Sequence, residues 1–150
     1  MARVLILGCG NPLRSDDGVA WHVLDAIKDL TENSSVNVEA VRQLTPELAE
    51  EVSDAETVIF VDAAEGDAGG RVIVRPVDET APPETRFTHS LSPASLVSLA
   101  RTLYGKAPKK AFLVTVAASS FELSENLSAP VARGVLDVAN AIRNLISSAS

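Results

Sequence analysis

A three-layer α/β fold, with a mostly parallel, mixed sheet of five strands between two layers of helices, is the class this sequence predicts. Three observations predict it. Short apolar runs alternate along the chain with segments of helical periodicity. VLIL at 4–7, TVIFVDAA at 57–64 and AFLVTVAA at 111–118 are apolar at consecutive positions, as strands covered on both faces are. Most of these runs are separated by enough chain for a crossover helix, which parallel pairing requires.

The elements follow in order. Val4 to Leu7 forms a buried strand ended by Gly8. Val19, Val23, Leu24, Ile27 and Leu30 then recur at helical spacing, which predicts a helix over about 18–31 with Asp16 or Asp17 as its N-cap. VNVEAV at 36–41 alternates as a second strand. TPELAEEV at 45–52 starts a helix, with Thr45 as cap, Pro46 in the first turn and acids close behind. The strand 57–64 runs into Asp62, and GDAGG at 66–70 turns the chain into a strand at 71–77. That connection is too short for a crossover helix, so the strand at 71–77 is expected to be antiparallel and at an edge. Residues 78–90 are the least regular stretch and contain His89. Ser92-Pro93 opens a helix whose apolar face is Leu96, Leu99, Ala100 and Leu103. After the last strand at 111–118, a loop over 119–127 leads to a long helix with Ser128 as cap and Pro130 in its first turn.

At 150 residues the chain fits one domain, 1–150, large enough to bury a core without disulfides or structural metal. No repeat, linker or low-complexity tract interrupts it. Twenty acidic against thirteen basic residues give a net charge of −7, which disfavours a nucleic-acid partner, whose phosphates need clustered Lys and Arg. Lys106, Lys109 and Lys110 are the only concentrated basic group, and a solvated turn accounts for them. The single cysteine, Cys9, suits a reducing compartment, and no run approaches the roughly 18 apolar residues of a membrane span. MARVLILG is too short for a signal-peptide core. A cytoplasmic protein without a membrane partner is expected. The helices show ordinary amphipathic faces with no apolar stripe left over, which predicts a monomer.

Ligands in sheets of this class bind beyond the carboxyl ends of the strands. Asp16 and Asp17 follow the first strand, Asp62 ends the third, and His89 precedes the next helix. Two carboxylates and an imidazole gathered at one rim would suit a divalent transition metal such as nickel or zinc. Asp16 is accounted for as a helix cap. One cap suffices, so Asp17 is the better functional candidate. An acid closing a run as apolar as VIFV needs a partner or a purpose, which favours a function for Asp62. His22, mid-helix beside Trp21, reads as structural. Gly8 and Gly10 match two positions of G-x-G-x-x-G, but Leu13 stands where the third glycine must be, so a dinucleotide site is excluded.

The stretches LILGCGNPLRSDDGVAWHV, VIFVDAA, THSLSP and ENLSAPV, in this order, resemble the hydrogenase maturation endopeptidases. These proteases trim the C-terminal extension from the large subunit of nickel-iron hydrogenases. The resemblance covers essentially the whole chain, and its most specific part is G-x-G-N-x-L-x-x-D-D-G at Gly8 to Gly18. It implies a phosphorylase/hydrolase-like α/β fold and a metal-dependent endopeptidase. Asp17, Asp62 and His89 would then be the metal-contacting and catalytic residues, while Asp16, Gly10 and Asn11 shape the loop. It also implies that nickel arrives with the hydrogenase large-subunit precursor, the expected partner, and that no organic cofactor is used. The chain departs from the pattern at RQLTPELAE, where many members carry D-G-G-T, and at Ala20 and Trp21 after the D-D-G. The first departure bears on substrate choice, the second on how the partner docks. Two other readings stay open: an amidase or peptidase with Cys9 as nucleophile, His89 as base and Asp62 as orienter, and a non-catalytic metal- or partner-binding module on the same fold.

Overall fold

The strands β1 (Val4–Cys9), β2 (Val36–Val41), β3 (Thr57–Glu65), β4 (Val72–Pro76) and β5 (Lys110–Ala118) form one sheet in the order β2-β1-β3-β5-β4. The computed structural model describes residues 3–65, 69–80 and 91–149. Pairing is parallel throughout except between β4 and β5, which are antiparallel, with β4 at the edge. The expected edge strand is therefore present, paired to the last strand rather than to its predecessor in the chain.

Helices α1 (Val19–Ala26) and α4 (Ala129–Ala149) cover one face. Helices α2 (Ala49–Asp54) and α3 (Pro93–Tyr104) cover the other. Side chains alternate across each strand, so β1 feeds both cores. Val4 and Ile6 pack with Val19, Val23, Val131, Val138 and Ile142. Leu5 and Leu7 pack with Leu48, Val52, Phe60, Leu96 and Val97. Each fully buried aliphatic side chain of this size contributes about 1.5–3 kcal/mol, and burial on both faces is why the strands read as continuous apolar runs.

The helix starts and stops differ in places from the periodicity. α1 ends at Ala26, and Lys28–Glu32 forms a 3-10 turn instead of a continuing helix. Ile27 and Leu30 are three apart, a spacing that eclipses on a 3-10 turn as well as it faces on an α-helix. Thr31 Oγ1 donates to the Lys28 carbonyl at 2.6 Å, and Arg143 on α4 grips Asp29 with two bonds of 2.8 and 2.9 Å. Similarly, Pro46–Leu48 is a 3-10 turn that leads into α2, and Thr45 precedes it without a side-chain cap bond. α3 starts as expected: Ser92 Oγ accepts from Ser95 N at 3.1 Å and Pro93 fills the first helical position. Its buried face is Leu96, Val97 and Ala100, whereas Leu103, expected on that face, is 57% exposed near the helix end. Among the described residues no helix is long and apolar enough to cross a membrane.

Candidate functional site

The chain leaves β1 for β2 on one side and returns through α2 to β3 on the other. With α1 and α2 on opposite faces, the carboxyl ends of β1 and β3 part at a topological switch point, the place where open sheets of this kind bind ligands. Asp62 lies there, in register with Cys9, the last residue of β1. It follows Val58 and Phe60 at two-residue intervals and therefore points to the face covered by α2 and α3. A 3-10 turn over Ser15–Gly18 carries Asp17 and lies against β3. Asp17 and Asp62 are both half-buried at this rim. His89, the third predicted site residue, lies outside the described residues, and among those described no three His, Cys, Asp or Glu side chains gather as a metal-binding group.

The loop from Gly10 to Gly18 is shaped by close backbone approaches. Gly10 has φ +149°, and a Cβ there would sit 2.0 Å from the Asp17 carbonyl oxygen. A Cβ on Gly18 would sit 2.7 Å from the Cα of Pro12. Only glycine fits either position. Asn11 closes the loop from within: its Oδ1 accepts from Leu13 N at 2.9 Å and its carbonyl from Arg14 N at 3.1 Å. The Asn11 N–H donates to Asp17 Oδ2 at 2.8 Å. Among the described residues that is the only hydrogen bond to the Asp17 carboxylate, so its Oδ1 accepts none from them. Trp21 Nε1 donates to the Gly10 carbonyl at 2.8 Å.

Asp16 does something other than cap α1. Gly18 occupies the N-cap position, and no side chain caps the helix there. Asp16 is fully buried and turns away toward residues 119–128. Its Oδ2 accepts from Ser119 N at 2.7 Å, Ser120 N at 2.9 Å and Ser128 Oγ at 2.8 Å, and its Oδ1 from Ser128 N at 2.7 Å. Burial pushes this carboxyl up, but the bonds from Ser128, Ser119 and Ser120 together outweigh it and hold Asp16 below the usual carboxylate range. The expectation of a cap is corrected for Asp16 and for Asp17 alike, because the 3-10 turn leaves them two residues and one residue ahead of the N-cap position. Ser128, expected to cap α4, spends its hydroxyl on Asp16.

The same two segments are joined through backbone. Ser15 N donates to the Ser124 carbonyl at 2.7 Å and Ser124 N to the Leu13 carbonyl at 3.0 Å. Ser15 is held at φ +50°, a strained conformation for a non-glycine residue, and its Oγ donates to the Asn126 carbonyl at 2.9 Å. Residues 119–128 thus form the second wall of the rim. The sequence reads here as a plain connection, and the signal it carries is four serines spread over 119–128, three of which meet Asp16.

The remaining candidates fall elsewhere. Cys9 is half-buried with Sγ 3.7 Å from the Arg42 carbonyl. His22 is exposed on α1. Lys106 pairs with Asp54 at 2.6 Å, and Lys109 and Lys110 are exposed. Glu51 on α2 is pushed up to about 7 by a hydrogen bond with Glu39 on β2, then by burial and by the charges of Glu39 and Glu50.

The architecture has close counterparts among solved structures. The hydrogenase-maturating endopeptidase HybD from E. coli superposes with a TM-score of 0.81 at 22% identity, over 99% of this chain and 94% of that one. The nickel-iron hydrogenase maturation protease HycI from Thermococcus kodakarensis gives 0.78 at 22% identity, over 97% and 93%. HybD from the same archaeon gives 0.69 at 25% identity, over 95% and 98%. No protein-family model matches the chain, and no curated protein matches it either. The chain has the fold of these endopeptidases from end to end, as the resemblance in its motifs implies.

Proposed function

We propose that this chain is a hydrogenase maturation endopeptidase that removes the C-terminal extension of a nickel-loaded hydrogenase large-subunit precursor. It acts in the cytoplasm as a monomer. The observation that carries the reading is the placement of Asp17 and Asp62 at the switch point between β1 and β3. The end-to-end likeness to maturation endopeptidases supports it.

Asp17, Asp62 and His89 are the residues that would meet the precursor's nickel, because carboxylate oxygens and an imidazole nitrogen are donors that such an ion accepts. The nickel belongs to the substrate and supplies Lewis-acid polarisation when present. The chain's own contribution is to orient and to move a proton. The Asn11 N–H fixes one oxygen of Asp17 and leaves the other for the partner. A carboxylate of the pair takes the proton of the attacking water. The water oxygen adds to the scissile carbonyl carbon, the carbon–nitrogen bond breaks, and the proton passes to the departing amine. A site built at the carboxyl ends of two strands, with its metal brought in by the substrate, selects a folded, loaded partner over short peptides.

The test is an anaerobic incubation with the large-subunit precursor from the same organism, with and without nickel, read as intact mass. Loss of a C-terminal peptide in the nickel-loaded sample alone is expected. An unchanged mass with a precursor shown to be loaded would overturn the reading in favour of a binding module.

A further inference from the structure

Two hydrogen bonds meet on one peptide group in the rim loop. The Gly10–Asn11 peptide accepts from Trp21 Nε1 at its carbonyl, 2.8 Å, and donates from its N–H to Asp17 Oδ2, also 2.8 Å. From this we infer that Trp21 is a positioning residue, which orients Asp17 through the Gly10–Asn11 peptide. The inference rests on the reading of Asp17 as a residue of the site.

The Gly10 N–H is tied to the Val41 carbonyl at 3.1 Å, and the Asn11 carbonyl and side chain close the loop on the other side of this peptide. Between those ties Gly10, at φ +149°, has no Cβ to restrict rotation, so an anchor at its carbonyl helps set the orientation. Trp21 provides one from the first turns of α1, a rigid element whose Val19, Ala20 and Val23 are fully buried. A donor at the carbonyl also polarises the amide and strengthens the bond its N–H makes, since linked hydrogen bonds reinforce one another. An indole N–H in a half-buried site needs some acceptor. The acceptor it uses belongs to the peptide that holds Asp17, and not to a helix carbonyl or an exposed side chain. This gives a role to a residue that departs from the family pattern.

Trp21→Phe keeps an aromatic ring and removes the donor. Because Trp21 is the chain's only tryptophan, replacement by benzothienylalanine provides a second variant that preserves the bicyclic shape and lacks the N–H. Each full-length variant is compared with wild type and with Asp17→Asn in two measurements. One is kcat and KM for processing of the nickel-loaded precursor. The other is the chemical shift of the Asn11 amide proton in the nitrogen-15-labelled chain. Loss of an outer hydrogen bond of this kind costs roughly 10–100-fold. The expected result is a kcat lower by that factor, KM within about threefold, and an Asn11 amide proton moved upfield in the direction seen for Asp17→Asn. A wild-type kcat, or an unmoved Asn11 amide, in the shape-preserving variant overturns the inference. If Asp17→Asn itself processes normally, the functional reading of Asp17 falls. The amide shift then still decides whether Trp21 governs the bond to Asp17.

Discussion

Asp16 and Asp17 are neighbours in the chain and opposites in surroundings. Asp16 is fully buried and accepts four hydrogen bonds, all from Ser119, Ser120 and Ser128. Asp17 is half-buried at the rim and, among the described residues, accepts one, from Asn11 N. The first carries three bonds on Oδ2 and one on Oδ1 and, being fully buried, presents neither oxygen at the rim. The second is held on one oxygen only. Two identical side chains are thus divided between building the loop and presenting a carboxylate at its mouth, and the division is made by the 3-10 turn that points them to different sides.

That comparison can be broken at several points. The largest effect is expected at the rim. Asp62→Asn should lower the processing rate by about 10²–10⁴-fold, the range for losing a proton-transferring or charge-bearing carboxylate. Cys9→Ser, on the register partner of Asp62, should leave the rate within about twofold; loss of activity there would revive a thiol nucleophile. Both are read from the intact mass of the precursor over time.

Asp16→Asn should act on stability. An amide must put its NH₂ against at least one of the donors that face the carboxylate, so a buried clash replaces a charge-assisted bond. The expected cost is about 3 kcal/mol, seen as a Tm lower by roughly 6–12 °C. The pH dependence follows from the depressed Asp16 carboxyl. A carboxyl lowered on folding adds stability that is present above its ordinary value and is lost as pH falls through the lowered one. The difference in Tm between wild type and Asp16→Asn should therefore shrink on acidification below the carboxylate range, in a series of thermal melts.

The smallest effect is at Glu51, raised to about 7 by its bond with Glu39. Here the sign reverses. The folded state holds the proton, so stability falls as pH rises from the ordinary glutamate range through about 7. Glu51→Gln should raise Tm slightly at pH 8 and leave it unchanged at pH 5. Solvent exposure of Glu51 keeps the gain small.

The layered sheet was legible because the three inner strands β1, β3 and β5 are apolar on both faces, and the antiparallel edge because the 66–70 connection is short. Ser92-Pro93 announced α3 for local reasons, a cap and a fixed φ. What local pattern could not reveal was Asp16, whose partners lie 103 to 112 residues away and are backbone amides and a hydroxyl. An acid before a helix reads as a cap unless the 3-10 turn is known. Trp21 escaped for a related reason, since its acceptor is a carbonyl of the loop and carries no residue signature. The position of Asp62 near the carboxyl end of β3 was legible because the apolar run VIFV leads directly into it.

The most direct test is the processing of nickel-loaded precursor by Asp17→Asn at a concentration matched for folded protein. Among the described residues the Asp17 carboxylate accepts a single hydrogen bond, so this variant should melt within about 1 kcal/mol of wild type. The precursor should keep its full mass where wild type shortens it. A shortened precursor at the wild-type rate would contradict the assignment of Asp17 to the site, and with it the division of labour between the two acids.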